Sequence, residues 1–104
     1  MELRQKRLKI SKILHDTLGT DNVYFQPPPS KKMNFPCIVY ERVRINTRFA
    51  DNDPYHLHDV YQVTYIGTDP DSDIPDKLSR LHMCVFERFY VSDNKYYSVF
   101  RITS

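Results

Sequence analysis

The chain has 104 residues, 40% of them hydrophobic and 13% aromatic, with 15 Lys and Arg against 13 Asp and Glu, a balance that suits one folded domain spanning 1–104 around one small core. A net charge of +2 is too small to impose a strong field on nucleic acid or anionic lipid. With only Gly19 and Gly67 present, the phosphate-cradling loops of the Walker and dinucleotide-binding types are excluded, and so is the G-x-S-x-G elbow of serine hydrolases.

Leu3, Ile10, Ile13, Leu14 and Leu18 recur at the helical period while Arg4, Lys9 and Lys12 fall on the opposite arc. This predicts an amphipathic helix over about 2–18, packed on a sheet. Gly19 stands where a left-handed cap ends such a helix. The basic residues between 4 and 12 read as a solvated face, and the charges in MELRQKRLKI occupy the place of a signal peptide's apolar region. No uncharged stretch approaches the roughly 20 apolar residues of a membrane span, so a soluble chain made in the cytoplasm is expected.

Residues 23–26 form a short extended segment stopped by Pro27, Pro28 and Pro29, which cannot serve a central ladder. In the next run, CIVYERVRI, the residues Cys37, Val39, Val43 and Ile45 share one face and Ile38, Tyr40, Arg42 and Arg44 the other. The first face reads as buried and the second as amphipathic. Residues 46–56 are polar, with Asp51, Asn52 and Pro54 as turn formers, and predict an exposed connection between two long strands. Phe49 and Tyr55 in so polar a stretch are suited either to anchorage in the core or to contact with another chain. The expected protein-interface residues are Arg44, Arg48, Phe49, Tyr55 and His56.

Residues 57–68 alternate again, with Leu57, Tyr61, Val63 and Tyr65 opposite Val60 and Ile66. A second, short helix follows, with Asp71 or Ser72 as its cap, Pro75 in its first turn and Arg80 near its end. Two β-rich runs joined by Ser92, Asp93 and Asn94 close the chain as a hairpin. The predicted fold is α+β: an antiparallel or mixed sheet of four to five strands, an N-terminal helix and a second short helix.

Cys37 and Cys84 form no C-x-x-C pair and read as reduced, buried thiols. Asp69, Asp71 and Asp73 imitate the opening of a calcium loop, but Ile74 and Arg80 stand where that loop needs glycine and glutamate. His56 and His58 lack a third metal ligand. Pro75-Asp76 with Asp93-Asn94-Lys95 formally matches a magnesium nuclease, yet one piece opens a helix and the other lies in a tight turn.

The phrases VYFQPPP (23–29), FPCIVYER (35–42), DNDPYHLHDVYQVTYIGTDPDSDIPDKL (51–78) and CVFERFYVSDN (84–94) resemble those of the small tail-completion proteins of tailed bacteriophages, specifically the tail terminator group. The resemblance covers most of 23–94 and rests on packing and turn phrases, with no catalytic signature. It implies an α+β subunit, not an enzyme and needing no cofactor or metal, that forms a hexameric ring, caps the tail tube and offers its other face to the neck of the filled head. The implied partners are further copies of the chain, the tail tube protein and a head-completion or neck protein, at the head-proximal end of the virion tail. Neither membrane nor nucleic acid is a specific partner, even where DNA passes through the ring. Another head–tail connector or neck protein is the alternative. A small nucleic-acid-binding module using the basic helix with Arg42, Arg44 and Arg48 is more remote.

Overall fold

The computed structural model describes the backbone of residues 3–50 and 53–103, and the side chains of 7–43 and 59–103. Helix α1 (Leu3–Leu18) ends at Gly19, whose φ of +81° is the left-handed conformation a glycine adopts without strain. Its N–H donates to the His15 carbonyl at 2.8 Å. Ile10, Leu14 and Leu18 are buried, whereas Ile13 is half-buried at the margin of the core.

Strand β1 (Val23–Phe25) runs parallel to β2 (Cys37–Ala50). Gln26 extends the pairing through its N–H to the Tyr40 carbonyl at 2.9 Å before the three prolines end it. Strand β3 (Asp53–Gly67) pairs antiparallel with β2. Helix α2 (Ile74–Ser79) then leads to the hairpin of β4 (Cys84–Ser92) and β5 (Lys95–Thr103). Asp93 and Asn94 both have positive φ, 50° and 61°, the two-residue turn that matches the twist of flanking strands. The sheet order is β1-β2-β3-β5-β4, mixed and five-stranded, so β5 inserts between β3 and β4 and leaves β4 on the outside.

The helices cover one face of this sheet. Ile38 and Tyr40 on β2, Tyr61, Val63 and Tyr65 on β3, and Phe100 and Ile102 on β5 form the core with Ile10, Leu14, Leu18 and Leu78. On β2 the helix-covered face is therefore that of Ile38 and Tyr40, not the Cys37, Val39 and Val43 face that the sequence favoured. Cys37 is buried on the opposite side, Val39 half-buried and Val43 exposed. Aromatic rings explain the difference: Tyr40 packs against Phe25 at 5.0 Å and Tyr61 at 6.3 Å, a larger apolar payload than the valines offer.

Two further expectations change. The N-cap of α2 is Asp73, with no side-chain capping bond, while the Ser72 hydroxyl accepts from the Ile74 N–H at 3.3 Å. Residues 46–50 and 53–56 are strand and not loop, because β2 continues to Ala50 and β3 begins at Asp53, while residues 51–52 lie outside the described residues. Among the described residues β3 pairs with β5 only from Val60 to Gly67, and β1 pairs with β2 only from Ile38 to Tyr40. Asp59 is still fully buried, and residues 46–50 and 53–58 beyond it form a two-stranded arm projecting past the sheet, in keeping with principal extents of 52 × 29 × 23 Å.

Candidate protein interface

Strand β4 reads CVFERFYVS and carries apolar side chains on both faces. Cross-strand partners share a face, so Phe86 and Phe89, opposite Phe100 and Ser98, lie on the helix-covered side of the sheet. Val85 and Tyr90, opposite Arg101 and Tyr97, lie on the other. Helix α2 touches β4, and Cys84 packs against the core, but the rest of the strand is left exposed. Val85 is 67% exposed, Phe86 52%, Phe89 54%, Tyr90 40% and Val91 57%. The helix-covered side of the strand is apolar, the other side mixes Val85 and Tyr90 with Glu87 and Arg88, and the strand pairs only with β5 among the described residues.

Contacts with β5 hold these rings in place. Phe86 meets Phe100 edge-on at 5.5 Å, Phe89 stacks on Tyr96 at 6.3 Å and Tyr90 on Tyr97 at 4.7 Å. Arg88 lies 5.8 Å from the Tyr90 ring, and Glu87 pairs with Arg101 at 3.3 Å. Natural edge strands discourage further pairing with lysine, proline or inward charge; β4 has neither lysine nor proline. At its start lies an apolar groove of about 650 Å³ between α1 and β5, lined by Ile10, Ile13, Met83 and Ile102, with Lys9 and His82 also on its lining.

Of the interface residues expected from sequence, Arg48, Phe49, Tyr55 and His56 fall on the arm. Arg44 is opposite Val60, Thr47 opposite His56, Arg48 opposite Tyr55 and Phe49 opposite Pro54. The register makes Arg48 and Tyr55 a cross-strand pair on a projecting ribbon; the side chains of Arg44, Arg48, Phe49, Tyr55 and His56 lie outside the described residues. Exposed β4 was missed because an apolar run reads as buried until the strand order is known.

The residues weighed for other chemistry have local roles. The Asp69 carboxylate accepts the Asp71 N–H at 2.9 Å, and Asp73 pairs with Lys77 at 3.4 Å. Asp76 pairs with Arg80 at 3.0 Å, while the Lys95 ammonium sits 4.7 Å from the Phe35 ring. Arg7 and Arg42 both lie against Phe25, at 4.8 and 5.8 Å, and Arg42 also lies 5.5 Å from the Tyr61 ring. Those two cations of the nucleic-acid reading are thus engaged in packing β1. Cys37 and Cys84 are free thiols, and burial pushes both up from 9.0 to about 11, which keeps them protonated and poorly nucleophilic near neutral pH. Among the described residues no three His, Cys, Asp or Glu side chains gather as a metal site, and no helix is long and apolar enough to cross a membrane.

No protein-family model matches the chain, and the search of curated proteins returned no relative of significant similarity.

Proposed function

We propose that the chain is a structural subunit of a phage tail, a terminator that caps the tail tube as a hexameric ring and presents the attachment surface for the neck. The observation that carries the protein-binding part of this reading is β4, an edge strand with neither lysine nor proline whose Val85, Phe86, Phe89, Tyr90 and Val91 are exposed. The resemblance of its phrases to those of tail-completion proteins supplies the particular assembly. In this reading the arm of β2 and β3 reaches the tube or a neighbouring subunit with Arg48, Phe49 and Tyr55, residue types that dominate protein interfaces. The role needs a rigid sheet and contact surfaces, and no cofactor.

Electron microscopy of the purified chain mixed with tail tubes that lack it tests the proposal. Rings at one end of each tube are expected. Tubes left bare, together with a salt-dependent shift of DNA mobility or magnesium-dependent cleavage, would replace the reading with a nucleic-acid module or a nuclease.

A further inference from the structure

We propose that, away from any tube, the chain pairs with a second copy of itself through the free edge of β4, the two strands running antiparallel about a twofold axis between Glu87 and Arg88. The sequence of the strand is complementary to itself in that register. Glu87 meets Arg88 of the second copy, Phe86 meets its Phe89, Val85 its Tyr90 and Cys84 its Val91. Each pair occurs twice, as a twofold contact requires.

The bulge in β4 selects this register. Residues opposite each other in an antiparallel pair must point to the same face. In a regular strand Phe86 and Phe89, three positions apart, would point to opposite faces and the pairing would fail. Here the shift between Phe86 and Arg88 puts an extra residue into β4, so that Phe86 opposes Phe100 and Phe89 opposes Ser98, both on the helix-covered side. Val85 and Tyr90 likewise share the other face through Arg101 and Tyr97, and Cys84 and Val91 share theirs through Ile102 and Tyr96. Centring the pair on Glu87 or on Arg88 instead would set carboxylate against carboxylate or guanidinium against guanidinium and mismatch the flanking faces.

The same pairing flanks the groove, bringing Ser92 of the second copy beside Met83 and its Asp93 turn toward His82, both on the groove lining. The five exposed apolar side chains of β4 offer on the order of 450 Å² per copy, and with the backbone edge the pair reaches the roughly 1,000 Å² total that a specific interface needs. Rings already stacked on β5 lose little freedom on association. The dimer stands apart from the ring reading: a twofold contact cannot by itself build a ring with unlike faces, so it is the form of the free chain, exchanged for a heterologous contact at the tube.

Sedimentation equilibrium on the free chain, without tubes, should give the mass of two chains. Phe89→Arg, a change at an exposed site, should keep the monomer's circular dichroism and weaken association by at least about tenfold, equivalent to ~1.4 kcal/mol. Val91→Cys should yield a covalent dimer under copper–phenanthroline oxidation, with peptide mapping placing the bond between position 91 and Cys84 of the other copy, and adding Cys84→Ala should abolish it. A free chain that stays monomeric at tens of micromolar overturns the proposal. So does a dimer or larger ring indifferent to Phe89→Arg, or a cross-link absent or mapped elsewhere. Tube capping is scored separately, so either proposal can fail alone.

Discussion

Leu14 and Ile13 are neighbours in α1, and the structure assigns them very different weights. Leu14 has no solvent exposure and belongs to the core cluster with Ile38, Tyr40, Tyr61 and Val63. Truncation to alanine removes three carbons, worth about 2.4 kcal/mol at ~0.8 each, and leaves a cavity whose cost depends on how far its walls relax. Because α1 packs by one face only and can settle inward, about 3 kcal/mol is expected, a large part of the ~5 to 15 kcal/mol that holds a domain together. Ile13 is half-buried and lines a groove open to solvent, so Ile13→Ala should cost only about 1 kcal/mol, with no closed cavity added. Urea unfolding followed by circular dichroism, at concentrations low enough to avoid association, measures both, with unchanged m-values confirming a common denatured state. Equal losses at the two positions, or less than about 1 kcal/mol at Leu14, would refute the placement of α1 on the sheet.

Gly19→Ala should cost about 1 kcal/mol in the same assay, through backbone strain alone, since φ is +81° and no atom lies within 4 Å of an added Cβ. Ionisation of Cys37 is held off to about 11 when folded, against 9.0 ordinarily. The raised value leaves stability unaffected below pH 9 and removes it progressively as pH climbs toward 11, and Cys37→Ala should flatten that decline in urea midpoints measured across the range. Replacing Arg48 and Phe49 together by alanine should leave the melting temperature nearly unchanged while reducing tube capping seen by electron microscopy. A double variant that fails to fold would show that the arm belongs to the core.

Much of the fold is legible in the residues where a local cause suffices. The period of Ile10, Leu14 and Leu18 with the glycine after it marks α1, and the Asp93-Asn94 turn marks the terminal hairpin. The arm escaped because two strands that project beyond a core need no apolar alternation, so residues 46–58 show little of the period that identifies a strand. Pro54, read as a turn former, sits at a paired position opposite Phe49. The uncovered state of β4 is a property of strand order, which local sequence does not encode: the same CVFERFYVS would be an interior strand had β4 rather than β5 joined β3. What the sequence does show is a dense apolar run in β4, Val85, Phe86, Phe89, Tyr90 and Val91, more than the two helices among the described residues cover. The Glu87-Arg88 centre of its self-complementary pattern becomes meaningful only once the bulge fixes which side chains share a face.

Labelling the chain with gold-conjugated antibody in intact phage particles tests most directly whether it works as a tail cap. Gold confined to the junction of head and tail, at the head-proximal end of the tube, is the predicted result. Gold along the tube or at its distal tip, or particles that carry none of the chain while heads and tails join normally, would contradict it.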